Sequence, residues 1–366
     1  MRAIVSGYYG SGNAGDEALL AGIVAGMREA AGDVHLTVLS RSPAVTANSH
    51  GVESIGSFDA RALRRQLDQA NLLISGGGNL FQDTTSARSC LYYLAIVEQA
   101  LKARVPVMVL GQGIGPLRRR WLRALVRRYL NRVQGIAVRD SRSARELARM
   151  RVTAPTVRIA ADLSLAMDPC PPERVAAAYR DVGVGEGEPV LAVAPRTWRI
   201  RGMTRNLLSR LASAVKDAMA RVQPNGRAVL FPMQRPRDVE PCGALAEALG
   251  GQVVAAEVPP PVLAGMLGRA RAVVGMRLHA LIFAAAGGAP PVAVSYDPKV
   301  DAFMADLALD VAASASRLDE AALTSAIVEA WNAQENQRAS LRGVMEDRRQ
   351  VVRDVFRWAT QVARQR

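Results

Sequence analysis

The chain is poor in thiols, imidazoles and lysine. It holds three cysteines, Cys90, Cys170 and Cys242, an odd number with no CxxC spacing. That argues against a disulfide framework and a cysteine zinc site, and it fits a reducing compartment. The three histidines, His35, His50 and His279, lie far apart and form no HxxxH pair, so no metal site is expected. Of the 47 cations only Lys102, Lys216 and Lys299 are lysines. Arginine is the default cation, and a single arginine carries little information. A long apolar run is missing as well. The most apolar stretch, 278–294, is broken by His279, Gly287, Gly288, Pro290 and Pro291, which argues against a membrane span. The apolar run at 3–5 is too short for a signal peptide and meets GYYGSGNAGDE at once. The sequence thus predicts a cytoplasmic protein that can touch a membrane from that side.

What is present is an ordinary globular composition. Hydrophobic residues make up 49% and charged residues 22% of 366. This excludes a disordered chain, a fibre and a disulfide miniprotein. At roughly 150 residues per domain the length predicts two domains. Short apolar runs at 3–5, 36–39, 72–74, 107–110 and 136–138 alternate with amphipathic stretches such as 18–30 and 87–103. Such alternation is the pattern of βαβ units on a parallel sheet. It breaks at MDPCPPE, 167–173, which reads as a linker. It then resumes with strands at 190–194, 228–231, 253–254, 272–274 and 291–294, and everything after about 316 reads as helix. The fold class is therefore α/β, with two Rossmann-like domains facing a cleft, at 1–166 and 167–335. Residues 336–366 form a C-terminal helix expected to return to the first domain.

In sheets of this kind ligands sit at the carboxyl ends of the strands. Three such ends in the first half are rich in glycine: 7–17 (GYYGSGNAGDE), 75–83 (SGGGNLFQD) and 111–117 (GQGIGPL). Gly10, Gly12, Asn13, Gly77, Gly78, Asn79 and Gly113 are the candidates to line a shared site, since glycine lets backbone amides approach a ligand. Tight β–α turns alone would also use glycines here. Gly10, Gly12 and Gly15 match G-x-G-x-x-G, yet Asp16 and Glu17 follow directly and would repel a pyrophosphate. Those carboxylates suit a base that takes protons from hydroxyls, or a helix cap.

A block at 118–151 carries twelve arginines against Asp140 and Glu146. Leu122, Leu125, Tyr129 and Val133 fall on one helical face, so the arginines populate the other. Such a face meets anionic lipid or a diphosphate, or is simply solvated. No aromatic interleaving or binding motif points to nucleic acid. Arg139, Arg196, Gln234 and Asp238 each stand at a strand end. The sharpest constellation comes late, in GMRLHALIFAAAGGAPPVAVSYDPKV. Arg277 and His279 open a helix after one strand, and Lys299 follows the next. Two cations and an imidazole on one rim make a seat for a small, highly charged anion.

Together GYYGSGNAGDEALL, SGGGNLFQD, GQGIGPL, AVRDSRS, GMRLHALIFAAAGGAP and the turn at 296–299 resemble the polysaccharide pyruvyl transferase family, most closely its CsaB-type branch. The resemblance implies a glycosyltransferase-B-type fold. It also implies transfer of pyruvate from phosphoenolpyruvate to a sugar as a cyclic ketal, with release of phosphate. The implied acceptor is a lipid-linked N-acetylmannosamine unit of a secondary cell-wall polymer, whose ketal anchors surface-layer proteins. The partners are then phosphoenolpyruvate, that lipid-linked saccharide and the inner face of the cytoplasmic membrane, not nucleic acid. No cofactor is expected, phosphoenolpyruvate being a co-substrate. Arg139, His279 and Lys299 match the residues of the family that hold phosphoenolpyruvate.

The chemistry suits these side chains. Arg139, Arg277 and Lys299 would neutralise carboxylate and phosphate. His279 would protonate the methylene carbon, an acid role that imidazole commonly fills. Asp16 or Glu17 would take the proton of the attacking hydroxyl, with Arg196 and Gln234 lining the acceptor side. Two alternatives stand beside this reading: a nucleotide-sugar glycosyltransferase of the same fold, and a non-catalytic binder of glycan lipid or nucleic acid.

Overall fold

The five apolar runs of the first half become five strands of a seven-stranded parallel sheet, which β3 and β7 complete: β1 (Arg2–Tyr9), β2 (His35–Ser40), β3 (Glu53–Gly56), β4 (Leu72–Gly76), β5 (Val107–Gln112), β6 (Gly135–Val138) and β7 (Thr156–Ile159). Their order is β3-β2-β1-β4-β5-β6-β7. Strands β4, β5 and β6 are buried along their whole length, which is why they read as unbroken apolar runs. The connecting helices are α1 (Ala14–Ala31), α2 (Pro43–His50), α3 (Ala60–Leu67), α4 (Ala87–Lys102), α5 (Arg120–Leu130) and α6 (Ser141–Arg149). The protein is described here from a computed structural model, which covers residues 1–84, 86–196, 204–223, 226–254 and 257–365.

Right-handed crossovers put α1 and α2 on one face of this sheet and α3 to α6 on the other. The packing follows. Leu63 and Leu67 of α3, Leu94 and Val97 of α4, Leu122 and Val126 of α5 and Leu147 of α6 share one buried cluster. On the α1 side, Gly22 and Gly26 have no room for a side chain. A Cβ at Gly22 would strike the carbonyl of Leu163, in a short 3-10 turn at Leu163–Ala166, and one at Gly26 would strike the ring of Phe356.

The second half repeats the plan with six strands: β8 (Val190–Ala194), β9 (Arg227–Leu230), β10 (Gln252–Val253), β11 (Ala272–Gly275), β12 (Pro291–Ser295) and β13 (Ala313–Ser314). Their order is β10-β9-β8-β11-β12-β13, with each neighbouring pair parallel. Its helices are α7 (Pro172–Asp181), α8 (Thr204–Val222), α9 (Val239–Leu249), α10 (Pro260–Arg269), α11 (Leu278–Gly287), α12 (Pro298–Asp306), α13 (Glu320–Trp331) and α14 (Glu335–Arg364). Helices α10 and α11 cross where Gly268 faces Gly287, so their backbones touch. The chain divides into one unit of Met1–Asp168 with Asp347–Arg366 and another of Pro169–Glu346. The fold class is thus α/β with two parallel Rossmann-like sheets.

Local boundaries differ from the sequence reading in one functional place. Strand β1 runs to Tyr9 and α1 begins at Ala14, so the glycine-rich loop shrinks to residues 10–13. Asp16 and Glu17 lie in the first turn of α1, not before it. The physical reason is Asn13. Its backbone is extended and its side chain accepts from the Gly15 amide at 3.1 Å, which starts the helix early.

Candidate functional site

In each sheet the strand order reverses beside the first strand, between β1 and β4 and between β8 and β11. Loops leaving the carboxyl ends at such a switch point hold ligands in open α/β sheets.

In the first unit the switch-point loops follow β1 and β4. Gly10 and Gly12 have φ of 70° and 68°, and Gly77 and Gly78 of 69° and 74°, in the left-handed region that favours glycine. The Gly10 amide donates to Glu17 Oε1 at 2.8 Å, and Glu17 Oε2 lies 3.1 Å from His50 Nε2. Glu17 therefore ties the loop to its own helix and to α2. Asn13 is occupied as the cap. Asp16 lies against the backbone of the β4 loop: a Cβ on Gly78 would sit 3.3 Å from its Oδ1.

The third glycine-rich end joins the same rim. The Gly113 amide donates to the Gly78 carbonyl at 2.9 Å. A Cβ on Gly113 would sit 2.9 Å from Arg139 Nη2 and 3.6 Å from Asn79 Oδ1. Asn79 donates through Nδ2 to the Gly115 carbonyl at 2.9 Å, while its buried Oδ1 has no hydrogen-bond partner among the described residues. Arg139 is 9% exposed and lies 3.7 Å from both Asp140 and Asp162. Asp140 in turn caps α6 through the Ser143 amide at 2.7 Å. The structure thus brings together Asp16, Gly78, Asn79, Gly113 and Arg139.

Two other groups in this unit are unsuited to chemistry. Tyr9 donates its hydroxyl to the Gly76 carbonyl at 2.8 Å. Burial, then the charge of Asp16, push its pKa well above the ordinary phenol, so it stays protonated. The Cys90 thiol is pushed up to about 12 by burial, and the Cys242 thiol of the second unit likewise. Neither is a ready nucleophile.

In the second unit four neighbouring strands, β9, β8, β11 and β12, end on one edge. They present Gln234 with Asp238, Arg196, Arg277 with His279, and Tyr296 with Lys299. Arg277 stands at the start of α11 and is gripped by Asp238, Nε to Oδ2 at 2.9 Å and Nη2 to Oδ1 at 2.5 Å. Asp238 is fully buried and also accepts the Gln234 amide at 2.9 Å. This fork-to-fork pair fixes the guanidinium plane. His279 is the second residue of α11, its ring 6.0 Å from that of Phe283. Lys299 is the second residue of α12, its Nζ 3.8 Å from Asp297. Arg196 stacks on the Tyr296 ring at 4.4 Å and also donates to its hydroxyl. Two cations and an imidazole on adjacent strand ends, one cation pinned by a buried carboxylate, can seat a compact anion and hand it a proton.

The sequence placed Asp238 at a strand end but missed that it holds Arg277. It also missed the stacking of Tyr296 on Arg196 and the tie from Glu17 to His50. An acid amid the arginines of FPMQRPRD was the one available signal. No group of three histidine, cysteine or carboxylate side chains able to hold a metal ion occurs among the described residues. No helix among them is long and apolar enough to cross a membrane.

The chain is similar to solved structures over nearly its whole length. HepE of Anabaena, solved with UDP and glucose, is 12% identical with a TM-score of 0.63, covering 100% of this chain and 99% of that one. MnaA of S. aureus, solved with UDP, is 11% identical with a TM-score of 0.62, covering 93% and 90%. The UDP-GlcNAc 2-epimerase of Neisseria meningitidis, bound to UDP-GlcNAc, is 10% identical with a TM-score of 0.60, covering 93% and 94%. At these identities the likeness shows the fold, the glycosyltransferase-B-type pair of Rossmann-like sheets. Among curated proteins no sequence matches. The polysaccharide pyruvyl transferase family profile matches residues 13–298, from the cap of α1 to the residue before Lys299. The chain belongs to the polysaccharide pyruvyl transferase family.

Proposed function

We propose that this enzyme transfers pyruvate from phosphoenolpyruvate to a lipid-linked N-acetylmannosamine unit of a cell-wall polymer, in the manner of the CsaB-type branch. It acts without a cofactor, on the cytoplasmic side of the membrane. The observation that carries the reading is the gathering of Arg277, His279 and Lys299 on adjacent strand ends, with Arg277 locked by buried Asp238.

Phosphoenolpyruvate needs cations at its carboxylate and its phosphate. Arg277 and Lys299 supply two, and Arg139 a third. His279 delivers a proton to the methylene carbon, turning the enol phosphate into an oxocarbenium-like species. One sugar hydroxyl forms a C–O bond to that carbon while Asp16 takes its proton. The second hydroxyl then forms the other C–O bond and the C–O bond to phosphate breaks. The phosphate leaves with the electron pair and the second proton, closing the ketal. Glu17 is set aside as the base because Gly10 and His50 occupy its oxygens. Asn79, whose Oδ1 has no hydrogen-bond partner among the described residues, and Gly78 are the acceptor-side candidates of the first unit, and Arg196 and Gln234 those of the second.

The test is phosphate release from phosphoenolpyruvate, with and without a synthetic β-N-acetylmannosaminyl diphosphate. Release that depends on the acceptor and falls by about 10²–10⁴-fold in His279→Ala is the expected result. Near-normal turnover in His279→Ala would remove that residue from the acid role. No release across a panel of acceptors, with thermal stabilisation by a nucleoside diphosphate, would move the reading to a nucleotide-sugar glycosyltransferase.

A further inference from the structure

We infer that the rim formed by the N-terminal ends of α3, α4 and α5 is the surface on which this enzyme meets an anionic lipid bilayer. The inference rests on the lipid-linked acceptor just proposed and gives that acceptor its route. Helices α3, α4 and α5 follow β3, β4 and β5 and share one face of the first sheet, so their N-terminal ends lie at the edge that carries the site. Two large side chains stand in water there. Phe58, just before α3, is 77% exposed, and Trp121, in the first turn of α5, is 53% exposed. Phe58 is not loose: its ring lies 5.2 Å from that of Tyr92 on α4, and the Tyr92 hydroxyl donates to the Ser57 carbonyl. These half-buried neighbours hold it in place. An aromatic side chain with one apolar face fits the headgroup layer of a membrane.

Cations stand at the same helix starts. Arg88 in the first turn of α4 and Arg118, Arg119, Arg120 and Arg123 at the start of α5 are all exposed. Arg119 pairs with Asp83 and Arg123 with Glu146, each at 3.4 Å, and Asp59 and Asp83 also hold backbone amides. Asp59 caps α3 through the Ala62 amide at 2.8 Å. Asp83, its side chain fully buried, accepts the Arg118 and Arg119 amides at 2.9 and 2.8 Å. The rim is thus positive with an aromatic pair in it, the composition of an interfacial anchor. Asp83 closes the loop that begins with Gly77, Gly78 and Asn79, so the rim and the acceptor loop are one piece of chain.

The experiment is sedimentation of the full chain with vesicles of phosphatidylcholine alone or with about 30% phosphatidylglycerol, without substrate. The expected result is binding to the anionic vesicles, weakened by salt, with a blue shift of tryptophan emission that Trp121→Phe removes. Replacing Arg88 and Arg120 together by serine weakens partitioning by about thirtyfold at an unchanged melting temperature. Replacing Phe58 and Trp121 together by serine weakens it as well. Absence of binding, equal binding to neutral vesicles, or a blue shift that survives Trp121→Phe would overturn the inference. So would tighter binding to DNA than to vesicles at the same salt. The assay involves no turnover, so failure of this surface and failure of pyruvyl transfer read out separately.

Discussion

Gly113 lacks a side chain where Arg139 and Asn79 need the space. A methyl there would sit 2.9 Å from the Arg139 guanidinium, which Asp140 and Asp162 already hold. We expect Gly113→Ala to keep the fold and displace that guanidinium. On the proposed reaction, the apparent KM for phosphoenolpyruvate then rises by about tenfold, the worth of one partly lost charged hydrogen bond. Steady-state kinetics with circular dichroism checks both halves, and an unchanged KM would detach Arg139 from the co-substrate. At this scale the sequence was legible where chemistry is written next to itself. Arg277 and His279 are two residues apart, and Lys299 is a rare lysine on the following strand. It was illegible where a partner comes from elsewhere. Asp238 grips Arg277 across 39 residues, and His50 meets Glu17 across 33.

At the scale of elements, helix ends decide how the loops are held. Helix α1 starts at Ala14 because Asn13 caps it, and that moved Asp16 and Glu17 from the loop into the first turn. Helix α5 has no side-chain cap at its own N-cap, Arg119. Asp83 serves instead, from the loop after β4, accepting two amides and pairing with Arg119 at 3.4 Å. Burial alone would raise its pKa. The Arg118 and Arg119 amides and the Arg119 charge outweigh burial and hold it below the ordinary carboxylate value. A carboxylate lowered in the native state adds stability above its unfolded pKa and loses it as pH falls through the native value. Asp83→Asn should therefore cost about 1–3 kcal/mol at neutral pH and less near about pH 3, below the unfolded carboxylate value. Denaturant unfolding at the two pH values measures the difference. A cost independent of pH would show that the charge of Asp83 is not what matters.

At the scale of the whole molecule, the last stretch of chain completes the first unit. Phe356 of α14 is fully buried and fits against Gly26 of α1, and Arg349 Nε donates to the Leu165 carbonyl at 2.7 Å. Phe356→Ala removes a large ring from a site that Gly26 cannot refill. We expect a loss of about 3–5 kcal/mol, seen as a lower unfolding midpoint. A loss below about 1 kcal/mol would mean that α14 rests on the unit without supporting it. The family match spans 13–298 and stops before α14, so this support lies outside the matched residues.

The sequence by itself determined the parallel α/β class, most strands and helices, and the strand ends at which the candidate residues stand. Those are local properties: apolar period, β-branched runs and glycine after a strand act within a few residues. Only the tertiary structure decided which partner each charged or aromatic side chain meets. Arg196 finds Tyr296 across 100 residues and Arg349 finds Leu165 across 184. Which rings are left in water was decided there too. In a chain whose default cation is arginine, composition cannot pick among so many equivalent charges. The crossing of helices and the meeting of strand ends can.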